Sequence, residues 1–139
     1  MRSMAEESTL VIVKPDAVRR GLIGEILGRL ERKGLRIEGL RSARLAKELA
    51  ERHYEEHQEK PFFGELVAFI TDGDVVLAKV TGPQAISVVR ALMGPTDPRS
   101  APPGTIRGDF GTIITANLIH GSDSPESAAR ELALFFPEG

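Results

Sequence analysis

Cysteine is absent from the 139-residue sequence, which excludes disulfide bonds, thiolate zinc sites and cysteine nucleophiles. The absence is compatible with a reducing cytoplasm, where we expect the protein to act. A formal net charge of −2 argues against a general nucleic-acid binder held by bulk positive charge. No run approaches the roughly 18 consecutive apolar residues of a membrane span. Residues 1–8 are polar and contain no apolar signal segment, so no association with a membrane is predicted.

The composition is that of a folded domain. Apolar residues make up 41% and charged residues 27% of the chain, which is too apolar for a disordered protein. The length suits one hydrophobic core and leaves no room for a second domain. We therefore predict a single domain over residues 9–139, preceded by a frayed tail over residues 1–8.

Hydrophobic periodicity predicts an alternation of strands and helices. Residues 9–14 form a continuous apolar run that predicts a strand buried on both faces. Ser124 followed by Pro125 predicts the start of the last helix. The resulting order is that of an α+β or α/β domain and is compatible with a split βαβ, or ferredoxin-like, sheet. The predicted strands are residues 9–14, 35–45, 75–80 and 112–119, and the predicted helices are residues 22–32, 46–57, 62–70, 125–136 and a segment from Gly82-Pro83 to about residue 93.

A long irregular segment spans residues 94–111. Four prolines fall within residues 94–104 and argue against regular structure there. Loops of this length inside a compact domain are usually functional or disordered. The segment carries Arg99 and Arg107, which favours a function.

Two short motifs suggest chemistry that the rest of the chain does not support. His53 and His57 fit an H-x-x-E-H pattern, in which two imidazoles share one helix face and can hold zinc. The surrounding residues are charged and no further ligand cluster follows, so a solvated helix is favoured and a zinc hydrolase is the alternative. Asp109-Phe110-Gly111 spells a protein-kinase triplet, but its companion motifs are absent and the chain is too short for that fold. The phosphate-binding P-loop motif is also absent.

The segment from Asn117 to Asp123 carries the most informative cluster. His120 lies at the end of a predicted strand, and a structural role is the default interpretation of such a histidine. An alternative is a nucleophile: Gly121 leaves room beside the ring, and the following helix carries Glu131, which can orient the ring and fix its tautomer. An imidazole with an ordinary pKa near 6.5 is largely neutral at neutral pH and can accept a phosphoryl group without a separate base.

A phosphoryl acceptor also needs cations and hydrogen-bond donors around the transferred group. Candidates are Lys14 at the end of the first strand, Arg90 and Arg107 flanking the long segment, and Thr96 within it. Each of them alone is better explained as a surface residue, and periodicity does not establish that they converge.

Several motifs occur together in one order along nearly the whole chain. They are Lys14-Pro15-Asp16, Pro61-Phe62-Phe63, the G-T-I-R-G-D-F of residues 104–110 and the N-x-x-H-G-S-D of residues 117–123. In these motifs the sequence resembles the nucleoside diphosphate kinase family, and its end at Gly139 is similar to the short bacterial members. The resemblance implies an α+β, ferredoxin-like fold with a four-stranded antiparallel sheet covered by helices and a long loop over the nucleotide site.

The resemblance also implies a ping-pong reaction. A nucleoside triphosphate, typically ATP, would transfer its γ-phosphate to His120, and the phosphohistidine would pass it to a nucleoside diphosphate with broad tolerance of the base. Mg²⁺ would be carried by the nucleotide phosphates and not by a protein metal site. The family associates into homo-oligomers, and we expect a hexamer in preference to a tetramer. The resemblance assigns supporting positions around the ring to Glu131, Ser122 and Tyr54, and nucleotide contacts to Lys14, Phe62, Arg90, Thr96, Arg107, Asn117 and Ile114. A nucleotide-binding module without catalysis on the same fold is the remaining alternative, which a phosphate-exchange assay separates.

Overall fold

A four-stranded sheet organises residues 6–138, the part of the chain that the computed structural model describes. All three pairs of neighbouring strands are antiparallel, and the strand order is β2-β3-β1-β4. The predicted ferredoxin-like α+β fold is confirmed. The strands are β1 (Glu6–Val13), β2 (Arg36–Ala43), β3 (Val75–Pro83) and β4 (Ile119–Gly121).

Seven α-helices are described, and none in residues 6–138 is long and apolar enough to cross a membrane. Two short 3₁₀ turns, Glu55–His57 and Pro98–Ser100, lie in the connections. The helices are α1 (Pro15–Arg19), α2 (Ile23–Arg32), α3 (Lys47–His53), α4 (Phe63–Ile70), α5 (Ala85–Met93), α6 (Ile106–Phe110) and α7 (Pro125–Phe135).

The central strand β1 divides the core into two layers. Val11 and Val13 pack in one cluster with side chains of α2 and α5. Leu10 and Ile12 point the other way and pack in a second cluster with Phe135 of α7. Successive side chains of a strand alternate between the faces of the sheet, so an uninterrupted apolar run fits a strand covered on both sides. The predicted doubly buried first strand is confirmed.

The first strand begins earlier than predicted. We predicted a frayed tail over residues 1–8, but β1 starts at Glu6, which pairs with Pro83. The Oγ of Ser8 and the Oγ1 of Thr81 are 2.8 Å apart and hydrogen bond across the ladder. The prediction is wrong for residues 6–8, because backbone pairing holds these polar residues without an apolar pattern; residues 1–5 lie outside the described part.

The same pairing changes the start of α5. Gly82-Pro83 was predicted to open the helix, but β3 runs through Pro83 because β1 extends far enough to pair with it. Gln84 then adopts a left-handed conformation with φ of 53°, and α5 begins at Ala85.

The last strand was also misplaced. We predicted a strand over residues 112–119, whereas β4 comprises Ile119–Gly121. The apolar residues before it form an exposed loop, in which 58% of Ile113 is exposed. Leu118 is buried with φ of 78°, and this left-handed turn separates the loop from β4. The error arose because an apolar run in an exposed loop has the same pattern as a short buried strand.

Two further boundaries differ from the prediction. The helix expected over residues 46–57 is α3, which ends at His53 and is followed by the separate 3₁₀ turn. The long segment over residues 94–111 contains α6, whose first turn is capped by Thr105 accepting a hydrogen bond from the N–H of Gly108 at 3.0 Å. Asp109 of the kinase-like triplet pairs with Arg29 of α2 at 2.7 Å.

Candidate active site

Two adjoining cavities form one cleft beside β4. Their volumes are about 320 Å³ and 620 Å³, and they share Lys14, Tyr54, Phe62, Thr96 and Asn117 among their lining residues. Every predicted site residue lies in or directly behind this cleft. The first cavity is lined by Lys14, Tyr54, Phe62, Arg90, Thr96, Arg107, Asn117, His120 and Glu131, the second adds Ile114, and Ser122 lies behind Glu131.

A chain of hydrogen bonds holds the His120 ring. Its Nε2 is 2.8 Å from Oε1 of Glu131, and the Ser122 hydroxyl donates to the same oxygen at 2.7 Å. The Ser122 oxygen in turn accepts the backbone N–H of Leu10 at 3.2 Å. The sheet, through β1 and β4, and the helix α7 therefore fix the carboxylate and the ring against each other. Within residues 6–138, Nδ1 of His120 makes no hydrogen bond, while the ring lines the cleft.

The Glu131 carboxyl is ionised in this setting. Burial alone would raise its pKa, but the hydrogen bond and charge interaction with His120 outweigh burial and hold the pKa of Glu131 below its usual value. A carboxylate at Nε2 favours the tautomer with the proton on that nitrogen. The lone pair of the imidazole is then on Nδ1.

Gly121, next to His120, is closely packed against α5. A Cβ added at Gly121 would lie 2.6 Å from Sδ of Met93 and 3.0 Å from Cγ1 of Val89 on α5. The glycine therefore lets α5 approach β4 closely. This approach lets Arg90 of α5 donate from Nη1 to the carbonyl of Gly121 at 2.9 Å.

His53 and His57, the two histidines of the H-x-x-E-H pattern, do not share one helix face. His57 lies in the 3₁₀ turn, because α3 ends at His53. The predicted solvated helix is wrong for His53 and Tyr54, which are only 3% and 9% exposed. The centroid of the His53 ring lies 4.7 Å from that of His120, edge to face at 82°. The charged residues near His53 in sequence predicted a solvated segment. The burial of its inner face results from packing on α7 and β4, which the sequence pattern does not show.

Three cations face the cleft without carboxylate partners. Lys14 Nζ donates to Oδ1 of Asn117 at 2.8 Å, and burial together with the charge of Arg107 lowers the pKa of Lys14 to about 8. Burial and the charge of Arg90 lower the pKa of Arg107 to about 10. Within residues 6–138, none of these three groups forms an ion pair. Cations that depress one another's pKa favour a bound polyanion, which relieves their repulsion.

The backbone fixes the direction of Arg107. Its guanidinium donates to the carbonyls of Asn117 at 3.1 Å, Gly94 at 3.0 Å and Ile119 at 2.6 Å. The guanidinium thus ties the start of the long loop to the residues on both sides of the Leu118 turn. A guanidinium held in this way is preorganised, so little side-chain entropy is lost when an anion binds.

Asp16 is a site residue that the sequence analysis did not single out. Its Oδ2 accepts the N–H of Leu118 at 3.1 Å, and the N–H of Lys14 donates to the Leu118 carbonyl at 2.9 Å. The strained turn before His120 is therefore held from both sides by the segment that follows β1. The signal in the sequence was its place in the Lys14-Pro15-Asp16 motif, to which no separate role of Asp16 was assigned.

The outer part of the cleft exposes apolar side chains. Phe62 is 44% exposed and Ile114 is 47% exposed, and both line the second cavity. The Lys60 ammonium lies 5.6 Å from the centre of the Phe62 ring. Neighbouring exposed apolar groups at the mouth of a cleft mark a surface that a ligand can cover, and an aromatic ring there suits a flat base.

Comparisons with known proteins place the whole chain in one family. The family model described as nucleoside diphosphate kinase matches residues 7–139. The chain is 64% identical over 130 residues to a nucleoside diphosphate kinase of Rubrobacter xylanophilus, covering 94% of this chain and 98% of the relative. It is 60% identical over 130 residues to one of Thermus thermophilus, covering 94% and 95% respectively.

A solved structure supports the same assignment. The halophilic nucleoside diphosphate kinase of Halobacterium salinarum, in complex with CDP, superposes with a TM-score of 0.92 at 53% identity, covering 95% of this chain and 88% of that one. Identities of this size over nearly complete chains establish common membership, and the activity follows with it. The chain belongs to the nucleoside diphosphate kinase family, the transferases that move a phosphate from a nucleoside triphosphate to a nucleoside diphosphate.

Proposed function

We propose that His120 carries the phosphate between the two nucleotides. The observation that supports this role is the pairing of its Nε2 with Glu131 at 2.8 Å, which leaves Nδ1 as the nucleophilic nitrogen on a ring that lines the cleft. Lys14, Arg90 and Arg107 line the same cavity. A nucleophile and cations for the transferred group are therefore available in one place.

The transfer takes place in two balanced half-reactions. The Nδ1 lone pair attacks the γ-phosphorus, the bond from phosphorus to the bridging oxygen breaks, and a nucleoside diphosphate leaves with that electron pair. The terminal phosphate oxygen of a second nucleoside diphosphate then attacks the same phosphorus, and the P–N bond breaks to restore the neutral imidazole. Phosphoryl transfer needs little covalent chemistry from the protein, so catalysis consists mainly of positioning and charge stabilisation. Glu131 stabilises the ring while it bears the phosphate.

The remaining residues take roles by position. We assign phosphate contacts to the cationic residues and Thr96, because they line the first cavity around His120. Phe62 and Ile114 line the second cavity and would hold the base by stacking and apolar contact, which every base accepts. Asn117, which lines both cavities, would contact the ribose, and Tyr54 packs edge to face against the ring of His53. Ser122 supports Glu131.

Magnesium fits this site as a companion of the nucleotide. Mg²⁺ prefers oxygen ligands and usually binds through one or two carboxylates together with substrate phosphates. Among the described residues around the first cavity, the carboxylates are Glu56, Asp123 and Glu131, and Glu131 is already bonded to His120 and Ser122. The donor set therefore suits an ion held by the phosphates, where it would neutralise charge on the leaving diphosphate.

Trapping the covalent intermediate tests the proposal. Incubation with ATP labelled in its γ-phosphate should place the label on His120, in an acid-labile and base-stable linkage typical of phosphohistidine. Addition of an unlabelled nucleoside diphosphate should remove it as labelled triphosphate. Peptide mass spectrometry locates the phosphate. A chain that binds nucleotides and never becomes labelled would instead be the binding module without catalysis, and label on another residue would contradict the role of His120.

The low pKa of Lys14 predicts a dependence of nucleotide affinity on pH. Because the pKa of Lys14 is lowered to about 8, mainly by burial, the ammonium loses its proton as the pH rises through that value. We expect nucleoside diphosphate affinity to fall across this window and to be restored on returning to neutral pH. Isothermal titration calorimetry measures the affinity. Lys14→Met should bind more weakly at neutral pH and show no such fall, and an unchanged pH profile in that variant would contradict the assignment.

Self-association and location extend the proposal. β2 is an edge strand of the sheet, and its Leu40 is 57% exposed, so this edge offers backbone and apolar surface to another subunit. We propose a homo-oligomer, a hexamer in preference to a tetramer. Sedimentation of the purified chain measures the subunit number, and a monomer at all concentrations would overturn the assembly. A cytoplasmic location suits an enzyme whose substrates are nucleotides.

A further inference from the structure

His53 is a buried polar side chain that the phosphate transfer does not use. It is 3% exposed, and within residues 6–138 neither of its ring nitrogens has a hydrogen-bond partner. A buried polar group without a partner typically costs about 1–3 kcal/mol. Such a group calls for an explanation in terms of function or of a missing ligand. The ring lies against His120, 4.7 Å between centroids, and lines the first cavity.

His53 completes a set of metal-ligand atoms with two residues of the candidate active site. One ligand atom each of His53, His120 and Glu131 lies within 4.8 Å of the others. Two imidazole nitrogens and one carboxylate oxygen form a donor set typical of zinc sites that keep an open position. With bonds near 2.1 Å, tetrahedral ligand atoms lie about 3.4 Å apart, so closure around an ion requires movements of about an ångström. His53 can turn without losing a hydrogen bond, because it makes none.

We propose that His53, His120 and Glu131 form an inhibitory Zn²⁺ site. The ion would reach the three ligands through the first cavity, where Asp123 partly offsets the cationic residues and Glu56 pairs with Arg130 at 2.7 Å. Water or a phosphate oxygen would take the fourth position. Imidazole nitrogens distinguish this site from the oxygen ligands that Mg²⁺ prefers. Zinc bonded to a ring nitrogen would withdraw electron density from the His120 imidazole and take its Glu131 partner, so the ring would be a poorer nucleophile toward phosphorus.

Zinc binding and phosphorylation of His120 should therefore exclude each other. Zinc should slow the formation of the phosphoenzyme, and by linkage the phosphorylated chain should bind zinc more weakly than the unmodified chain. The inhibitory consequence rests on the proposed function of His120. Zinc binding itself does not rest on that function, because it depends only on the ligand atoms of His53, His120 and Glu131.

Binding is measured first, on the nucleotide-free protein, by competition with a chromogenic chelator. We expect a single zinc ion per chain, and Co²⁺ in its place should give the visible spectrum of a tetrahedral site. His53→Phe preserves an aromatic ring beside Tyr54 and Phe135, and should lower zinc affinity by more than about tenfold, the loss typical of removing even an outer partner of a metal ligand. His53→Gln provides a second test if the first variant does not fold. The matched control is His57→Phe, which changes a histidine outside the ligand set and should keep the affinity of the unchanged chain.

Inhibition is measured second, as labelling of His120 with and without zinc. We expect zinc to block labelling, and a chelator to restore it. Absence of zinc binding, equal affinity in His53→Phe, or equal loss in His57→Phe would overturn the site, and so would zinc binding that leaves labelling unchanged. Labelling of His120 in chelator, together with no zinc binding in the competition assay, would reject this inference while the proposed function stands. Failure of labelling in a zinc-selective chelator, with Mg²⁺ present in excess, would reject the proposed function independently.

Discussion

His120→Ala is expected to abolish phosphate transfer and covalent labelling while nucleotide binding is retained. The substitution removes the nitrogen that accepts the phosphate and leaves the cations and the base site in place. Loss of a covalent nucleophile typically lowers kcat by roughly 10⁴- to 10⁶-fold, with the remainder due to positioning and charge stabilisation. A coupled assay of triphosphate formation measures kcat/KM, and calorimetry measures the nucleoside diphosphate affinity.

Two observations separate this chemical loss from a general disruption. Nucleotide affinity within a few fold of the unchanged chain would show that the cleft is intact. Glu131→Gln retains the nucleophile and alters only its orientation and charge stabilisation, so it should lose less activity than His120→Ala. Equal losses would contradict the division of roles between ring and carboxylate, and labelled phosphate on His120→Ala would contradict the nucleophile itself.

Arg107→Ala has the second largest expected effect, and it should act on both turnover and stability. Removing a preorganised donor from developing charge typically costs about 3–4 kcal/mol, or roughly 10²- to 10³-fold in turnover. The same change leaves the carbonyls of Gly94, Asn117 and Ile119 without their guanidinium donor. An unpaired buried polar group costs about 1–3 kcal/mol, so the free energy of unfolding should also fall. Steady-state kinetics and denaturant unfolding measure the two effects.

Arg99→Ala is the matched control for this prediction. Arg99 lies in the same long loop, but its side chain is 71% exposed, and its one ion pair among residues 6–138 is with Asp97 at 2.8 Å. Exposed ion pairs contribute about 0–1 kcal/mol, so turnover and stability should both change little. Arg107→Lys, which keeps a charge but not the planar fork, should recover less than the full activity. Normal turnover in Arg107→Ala would remove this residue from the phosphate site.

Parts of the fold follow from local sequence. The apolar run of β1 predicts a strand covered on both faces, and Ser124-Pro125 predicts the start of α7, where the Ser124 hydroxyl accepts the N–H of Ser127 at 3.1 Å. Capping and period-two burial depend on residues a few positions apart, so they are readable without the tertiary structure. The start of β1 at Glu6 could not be predicted from local sequence. Backbone pairing with Pro83 holds this end of the strand, and no local pattern marks it.

The candidate active site also has features that the sequence predicts and features that depend on the tertiary structure. The motif around His120 identifies the family, and the family resemblance names the residues that the structure gathers in one cleft. That Lys14, Arg90 and Arg107 surround this ring depends on the Leu118 turn, on Asp16 and on the close approach of α5 at Gly121. Each of these involves segments distant in sequence.

The sequence by itself therefore determined the family, the order of most elements and the identity of the histidine proposed to carry the phosphate. Only the tertiary structure decided that His53 is buried against that histidine, although the charged residues around it predict a solvated helix. The reason is physical. Periodicity records which face of an element is apolar, whereas the environment of a single polar side chain depends on what other segments bring against it, here β4 and α7.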